Sequence, residues 1–343
     1  MGGEDRMKGI SASVIGLAIV AMIILAGEAY AYLPADRGFS SGVEIEGNTA
    51  TYSIGAAGAY VGSAVLVDNG DLLPVNEVYI YRDPSYLSDV DEGNITATGS
   101  QVWTQSYYID QLTKNLKIRG ITNVKILNAN ELKDRLQSDM PTVSQKGLIV
   151  ISGTVPDTIL GSSTILEDWI DAGGFLYWVG NIIGHESSTP DEIIAVNKEI
   201  ALIGTDSFYS SKKSATMDTE LRSKFSYENQ HLEFAPDVTT ISGRTVLGTG
   251  FSDDGTHYSV TFIEKGNGQI CICSGELSSQ QTHDLSISIG SGLTYKSQIV
   301  DFKESEFNRS MSDSFDIPTV HGNLSIYISV GKYHCAHAQR FGL

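Results

Sequence analysis

Polar side chains that could carry acid–base or metal chemistry follow several of the predicted strands. Because ligands of open parallel sheets bind beyond the carboxyl ends of the strands, residues at those ends are expected to share one crevice. The residues placed there are Asp83, Asn128, Ser152, Thr154, Asn181, His185, Glu186 and Glu276. A histidine, carboxylates and hydroxyls can together build a metal-assisted or acid–base site. Strand ends in any such sheet carry polar residues, so we predict a ligand-binding crevice and assign no catalytic residue.

Two further patterns have the residue types of metal sites but not the spacing. Residues 88–94, SDVDEGN, are similar to a calcium loop, but the glycine is one place early and no glutamate stands at the twelfth position. Residues 334–337, HCAH, hold two histidines three apart, and Cys271 with Cys273 could complete a tetrahedral set. That spacing is not typical of a zinc module. We predict neither a metal nor a cofactor.

The chain has three cysteines, too few for a disulfide framework. Cys271 and Cys273 are two apart in a strand-like run, so they share a face and cannot easily bond each other. A bridge from either of them to Cys335 stays open. Small apolar side chains buried in the core are the favoured interpretation.

Alternating strand and helix patterns from about Val75 must position the polar residues. The strand-like runs are NEVYIYRD, NVKIL, GLIVISG and FLYWVG, and the helix-like runs between them are SYYIDQLTKNLKIRG, NANELKDRLQS and STILEDWIDAGG. Asn128 and Glu131 have the spacing of a capping box. This alternation predicts an α/β fold with a doubly wound parallel sheet and right-handed crossovers.

The segments before and after this strand–helix alternation have other patterns. PDEIIAVNKEIALIG predicts a helix with Pro190 in its first turn, and the later runs TVLGTGF, HYSVTFIEKGNGQICICSG, LSISIG and NLSIYISV predict strands. SDDG and KGNG are typical hairpin turns. GVEIEGNTATYSI and GAAGAYVGSAVLV predict a half-buried strand and then a buried strand or close-packed hairpin. We therefore expect a linker and β-rich segment at 28–74, an α/β domain at 75–285 and a β-rich segment at 286–343.

The N-terminus has the pattern of a membrane-targeting segment. Residues 10–27 carry no charge, and this length nearly crosses a hydrocarbon layer of about 30 Å. Arg6 and Lys8 precede the run while Glu28 and Asp36 follow it, which favours residues 1–9 in the cytoplasm and the rest outside. Three alternatives stay open: a retained transmembrane anchor, a signal cleaved after Ala29-Tyr30-Ala31, and a pilin-like leader, since MKGISASVIGLAIV resembles that of archaeal type IV pilin-like proteins.

Charge and modification patterns agree with an exported protein. The formal net charge of −18 would repel phosphate backbones, so nucleic acid is excluded as a partner. Three Asn-x-Ser/Thr sequons, at Asn94, Asn308 and Asn323, predict N-glycosylation after export. The expected location is the cell membrane, with one span and an extracytoplasmic C-terminal domain, or else a secreted protein or surface filament.

Three motifs in order carry a resemblance to a known family. KGLIVISGTVPD, LEDWIDAGGFLYWVGNIIGH and FIEKGNGQICICSGEL together resemble class I glutamine amidotransferase-like domains. The resemblance spans about residues 75–277. It implies a flavodoxin-like α/β sandwich in which the fourth strand runs into a sharp bend that exposes a catalytic cysteine.

The residues at that bend argue against the family's reaction. The bend corresponds to residues 180–185, GNIIGH, and Ile182 stands where the resemblance implies the cysteine. An alkyl side chain cannot attack a carbonyl, so the bend as it stands supplies no nucleophile. We predict a non-catalytic binding or assembly protein at the cell surface. The alternatives are an exported hydrolase that uses a metal or carboxylate site, and a pilin-like filament subunit.

Overall fold

The computed structural model describes residues 39–88, 105–317, 323–331, 333–335 and 341–342. The predicted span at residues 10–27 lies outside these ranges, together with residues 1–9 before it, residues 28–38 after it, and Asn94. Within the described ranges no helix is long and apolar enough to cross a membrane.

The described residues contain fifteen strands, six α-helices and a 3-10 helix at Met140–Thr142. The strands are β1 (Ser40–Glu46), β2 (Thr49–Asp68), β3 (Glu77–Tyr81), β4 (Asn123–Leu127), β5 (Lys146–Val150), β6 (Phe175–Trp178), β7 (Glu186–Ser188), β8 (Ile193–Ala195), β9 (Val246–Thr249), β10 (Val260–Lys265), β11 (Gly268–Cys273), β12 (Gln298–Asp316), β13 (Asn323–Val330), β14 (Tyr333–Cys335) and β15 (Phe341–Gly342). The helices are α1 (Gln105–Ile118), α2 (Ala129–Asp139), α3 (Ile165–Asp171), α4 (Glu199–Ile203), α5 (Glu220–Phe225) and α6 (Ser279–Gly290).

The central sheet has seven strands in the order β4-β3-β5-β6-β11-β10-β9. The first five of these run parallel, and β10 is antiparallel to both of its neighbours. One face packs on α1 and α6, and the other packs on α2, α3 and α4. The predicted α/β class with a parallel sheet is confirmed.

Local signals explain several of these elements. Asn128 Oδ1 accepts a hydrogen bond from Glu131 N at 3.0 Å and Glu131 Oε2 accepts one from Asn128 N at 3.0 Å, so the predicted capping box starts α2. The run in β5 is apolar because both of its faces are covered. Gly266, at a φ of 58°, begins the two-residue turn between β10 and β11, as the KGNG pattern predicts.

The helix predicted over residues 190–204 forms only over its last turn, as the short helix α4; its first half is wrong. Residues 189–195 instead form the turn and second strand of the β7–β8 hairpin. Thr189 explains the difference, because its Oγ1 accepts hydrogen bonds from the backbone of Asp191 at 3.2 Å and Glu192 at 3.0 Å. This side-chain turn competes with the first turn of a helix, and Pro190 fits a tight turn as well as it fits a helix start.

The strand predicted at LSISIG is also wrong, because these residues are the second half of α6. Residues 284–290 are all buried, so the helix has no polar face and no visible helical period. Ser286 Oγ donates to the carbonyl of His283 at 2.6 Å, which lets a serine stand inside a buried helix. The domain boundary expected at residue 285 consequently falls within α6.

The two ends of the described chain form one sheet. β12 pairs along one edge of β2, while β1 and β13 share the other edge, with β14 and β15 beyond β13. The segments expected at 28–74 and 286–343 therefore build one β-sheet, and the α/β domain is inserted between β2 and β12. The β-rich C-terminal part is confirmed; its pairing with the N-terminal segment was not predicted.

This second sheet folds back on itself. Between Asn308 and Ser310 the partner of β12 jumps from Ala59 to Gly55, and Arg309 has a φ of 72°. A methyl group at Gly62 would lie 2.6 Å from Met311 Sδ, so the two halves of the sheet touch. Their facing side chains make a separate hydrophobic core: Phe39, Val43, Ala50, Tyr52, Ile54, Ala64, Leu66, Phe307, Phe315, Ile317, Leu324, Ile326, Ile328 and Val330.

The outer face of the same sheet joins the α/β domain. Val65, Val67 and Tyr327 belong to the core that contains α1 and α6. Within the sheet, a buried polar link joins the end of β2 to β13 and to the start of β12, because Asn69 Nδ2 donates to Ser325 Oγ at 2.7 Å and Asn69 Oδ1 accepts from Ser297 Oγ at 2.6 Å. The second half of β2 is thus covered on both faces, which accounts for its continuous apolar sequence.

Candidate functional site

The strand order places a topological switch point between β3 and β5. β4 lies on one side of β3 and β5 on the other, so the crevice at their carboxyl ends is the expected ligand position. Residues 83–88 cross this crevice. Leu87 N donates to the carbonyl of Thr189 at 3.1 Å, and Ser88 Oγ donates to the carbonyl of Ser152 at 3.0 Å. The chain itself therefore occupies the position where a ligand of such a sheet would bind.

Asp83 and Asn128 lie together and start α2. Asp83 Oδ2 accepts a hydrogen bond from Ala129 N at 3.0 Å, and its Oδ1 accepts from Ser85 N at 3.0 Å and Ser85 Oγ at 2.6 Å. Burial opposes the charge, but these hydrogen bonds outweigh it and lower the pKa of Asp83 below its usual value. An ionised carboxylate at the start of a helix is a stabilising arrangement. Both predicted site residues thus have a structural role here.

Ser152 and Thr154 are buried beside the crevice. Ser152 Oγ donates to the carbonyl of Thr154 at 2.6 Å, which closes the turn after β5. Thr154 Oγ1 makes only long contacts, 3.4 Å to Ser188 Oγ and 3.5 Å to the carbonyl of Leu87. Among the described residues, neither hydroxyl has a histidine or carboxylate hydrogen-bonded to it that could act as the base a nucleophilic serine or threonine needs.

The bend at residues 180–185 is a turn that leads into a hairpin. Gly180 has a φ of 117° and Gly184 one of 78°. His185 N donates to the carbonyl of Ile182 at 3.2 Å, and Glu186 then begins β7. A nucleophile elbow needs a helix directly after the bend, whose N-terminus helps to hold the developing oxyanion. The described chain has β7 in that place.

The polar residues around this bend are paired with one another. His185 Nδ1 lies 2.6 Å from Glu199 Oε1, and 41% of the His185 side chain is exposed. Asn181 Nδ2 donates to Glu186 Oε2 at 2.9 Å, while Asn181 Oδ1 accepts from Ile182 N at 2.7 Å. The structure thus brings Asn181, His185 and Glu186 to one turn, with Glu199 as a partner that the sequence pattern did not identify.

Glu276 stands apart from these groups. It is exposed after β11 and forms an ion pair with Lys212, which belongs to the irregular segment 205–219. Exposed pairs of this kind contribute about 0.2–1 kcal/mol to stability. The predicted set therefore divides into three groups, at the ends of β3 to β5, at the end of β6 and at the end of β11.

A buried polar network beside the last group was missed by sequence reasoning. Asp284, in α6, accepts hydrogen bonds from Glu228 N at 2.9 Å and Asn229 N at 3.0 Å, and lies 3.1 Å from His283 Nδ1. Asn229 Nδ2 donates to the carbonyl of Ser274 at 2.7 Å. Burial raises the pKa of Asp284, and the hydrogen bonds from His283 and the two backbone amides offset this only in part. The one available signal was a carboxylate inside an apolar run.

Metal-binding and thiol chemistry find little support among the described residues. No group of three or more His, Cys, Asp or Glu side chains there is arranged to hold a metal ion. Cys271 and Cys273 are free, buried thiols on β11, in the core shared with α1 and α6. Burial raises the pKa of the Cys273 thiol, which disfavours the reactive thiolate. The side chain of Cys335 lies outside the described parts.

Comparison with known proteins gives distant likenesses only. No family model matches the chain, and no curated protein matches it. An exo-β-1,4-mannosidase from Opitutaceae bacterium strain TAV5 is 11% identical with a TM-score of 0.34, over 62% of this chain and 35% of that one. A cytoplasmic protein from Salmonella typhimurium LT2 is 11% identical with a TM-score of 0.36, over 62% of this chain and 92% of that one. Likenesses of this extent assign neither family nor function to the chain.

Proposed function

We propose that the chain is a non-catalytic, extracytoplasmic, membrane-anchored binding or assembly protein built on an amidotransferase-like domain. Residues 10–27 would anchor it in the membrane, and its partner at the cell surface would be another protein or a second copy. The acidic charge of −18 leaves nucleic acid out of the proposal.

The bend after β6 is the observation that carries the non-catalytic part. Ile182 stands at the position of the nucleophile in the family that the chain resembles, and a hairpin follows in place of a helix. Both the attacking group and one source of oxyanion stabilisation are therefore missing from the described bend. The neighbouring Asn181 and His185 make hydrogen bonds to Glu186 and Glu199, which supports a structural role for this turn.

The test combines activity with location. Purified full-length protein is incubated with glutamine and ammonia release is followed; no release above buffer is expected, and sustained release would contradict the proposal. Protease added to intact cells should degrade the C-terminal domain while leaving a short membrane-embedded fragment. A C-terminal domain that stays protected until the cells are lysed would overturn the extracytoplasmic placement.

One contact favours a second candidate, an exported hydrolase with a metal or carboxylate site. The His185 imidazole is oriented by Glu199 at 2.6 Å and is partly exposed, as metal-binding and general-base histidines often are. Elemental analysis of protein dialysed against Zn²⁺ separates the candidates. Stoichiometric zinc that His185→Ala removes, and that the control His257→Ala retains, would favour the hydrolase; zinc at background level in all three proteins would favour the binding protein.

A further inference from the structure

Two of the three sequons lie on neighbouring parts of the folded-back sheet. Asn308-Arg309-Ser310 is on β12, and Asn323-Leu324-Ser325 begins β13. Transfer of an N-glycan requires access both to the asparagine amide and to the hydroxyl two residues later. We propose that Asn308 is a glycan acceptor of the folded protein and that Asn323 is not. This inference rests on the extracytoplasmic placement proposed above.

Asn308 occupies an irregular and open part of its strand. Asn308, Arg309 and Ser310 are all exposed. Arg309 has a left-handed backbone with a φ of 72° and has no partner residue in the ladder, because the register passes from Asn308↔Ala59 to Ser310↔Gly55. A bulge of this kind locally interrupts the ladder and re-aims side chains. The amide and the hydroxyl of this sequon are therefore both reachable without opening the sheet.

The surroundings of Asn308 leave room for a large polar group. Its ladder partner is Ala59, which is small and exposed. The bulky neighbour Phe307 is turned into the core of the folded-back sheet. β12 pairs only with β2 among the described strands, so no described strand covers its other edge. A glycan at Asn308 would extend from an open edge strand, where natural proteins commonly place charged or blocking groups.

Asn323 is held by the opposite end of β2. Its backbone N–H donates to the carbonyl of Gly70 at 2.7 Å, and its side-chain Nδ2 donates to the same carbonyl at 3.3 Å. Its own carbonyl accepts from Asn69 N at 2.8 Å. The amide nitrogen that would receive the glycan is thus already engaged in the link between β2 and β13.

The hydroxyl of the second sequon is out of reach. Ser325 is fully buried, at 0% exposure, and its Oγ accepts the hydrogen bond from Asn69 Nδ2 at 2.7 Å. Presenting Asn323 and Ser325 together to a transferase would require β13 to separate from β2. That separation would leave buried polar groups of Asn69 without partners, so the folded protein resists it.

The test is site-by-site glycan occupancy in purified, folded full-length protein after treatment with a single-subunit oligosaccharyltransferase and its lipid-linked glycan donor. Asn94→Gln is included in every sample so that only the two described sequons are compared. Peptide mass spectrometry after enzymatic glycan release in ¹⁸O-water marks each occupied asparagine. We expect occupancy at Asn308 that Ser310→Ala abolishes and Ser325→Ala leaves unchanged, with Asn323 unoccupied throughout. Both serine variants keep the asparagines in place, and Ser310 is exposed, so its loss does not disturb the core.

Two results would overturn the inference, and both differ from a failure of the proposed placement. Occupancy at Asn323 equal to or above that at Asn308 would show that the β2–β13 contact does not protect it. An empty Asn308 in a C-terminal domain that protease reaches from outside would remove Asn308 as an acceptor. A C-terminal domain that stays in the cytoplasm would instead refute the placement, and the modification with it.

Discussion

Lys303 and Asp313, ten residues apart on the single strand β12, are joined by a 3.1 Å contact between Lys303 Nζ and Asp313 Oδ1. Lys303 Nζ also donates to the carbonyl of Ser314 and lies 5.5 Å from the ring centroid of Phe315. Residues this far apart on a straight strand would be separated by about 33 Å. The contact therefore links the two halves of the folded-back sheet across the bulge at Arg309.

Replacing Lys303 should weaken the contact between the two halves of the folded-back sheet. Lys303→Met keeps an apolar stem over Phe315 but removes the charge, and because the pair is partly exposed we expect a loss of about 0.5–1 kcal/mol at neutral pH. Urea unfolding measures the difference, with Lys133→Met in α2 as the matched control. Equal losses in both variants would mean that the pair contributes nothing specific.

In acid, Lys303→Met should no longer be less stable to urea than the wild type. The backbone N–H of Ser314 and then Lys303 lower the pKa of Asp313 in the folded protein. A carboxyl with a lowered folded pKa adds stability above its unfolded pKa and loses it as the pH falls through the folded pKa. The gap between wild type and Lys303→Met should therefore shrink below about pH 4, the ordinary range of aspartate. A gap that stays constant with pH would exclude Asp313 as the partner.

Asn69 should be among the most sensitive polar positions. It is fully buried and bonds both Ser325 and Ser297, so Asn69→Ala leaves buried hydroxyls without partners and is expected to cost about 2–3 kcal/mol. The exposed Asn76, which bonds Gln145 at 2.9 Å, is the control, and Asn76→Ala should change stability by about 0.5 kcal/mol or less. Similar unfolding midpoints for the two variants would contradict the role assigned to Asn69.

Asp284 should make stability fall as the pH rises. Burial raises its folded pKa above the unfolded value, so the folded state holds a proton more tightly and the associated stability is lost as the pH rises from the unfolded to the folded pKa. Asp284→Asn cannot accept from both backbone amides and should cost about 1–3 kcal/mol in acid, where Asp284 is protonated. The stability of the Asp284→Asn variant should no longer fall as the pH rises from the unfolded to the folded pKa of Asp284. A variant that keeps the wild-type pH dependence would exclude Asp284 as its source.

The N-terminal residue of the mature protein decides between the three fates of residues 10–27. A retained anchor predicts a mature chain that still contains the whole apolar run, because that run is long for a cleaved signal. Sequencing of protein from the native membrane gives the answer directly. A start at Ile10 would indicate the pilin-like leader and a filament, and a start at Tyr32 would indicate secretion.

The sequence predicted an element correctly where neighbouring residues determine its structure. Asn128 with Glu131, the apolar run of β5 and the Gly266 turn each specify their own geometry within a few residues. Thr189 and α6 show the limit, since a side-chain turn and a fully buried helix have no periodic signature in the sequence. The pairing of β2 with β12 and β13 depends on residues more than two hundred positions apart, which no local pattern contains.

The sequence likewise predicted where the candidate site residues lie but not what their side chains contact. Strand ends correctly located Asp83, Ser152 and Asn181 at the carboxyl edge of the sheet, because that placement follows from strand direction alone. Whether such a side chain faces a ligand or caps a helix depends on its partners. Ser85 and Ala129 take up the carboxylate of Asp83, and Glu199 takes up the imidazole of His185, contacts that only the folded chain reveals.

Ammonia release from glutamine by wild type and by Ile182→Cys, measured side by side, tests the central claim most directly. The account predicts that neither protein releases ammonia above buffer, because the described bend leads into the β7–β8 hairpin and not into a helix, even when a thiol is restored. Release by the wild type, or release that appears with Ile182→Cys and disappears with a further His185→Ala, would contradict a non-catalytic bend.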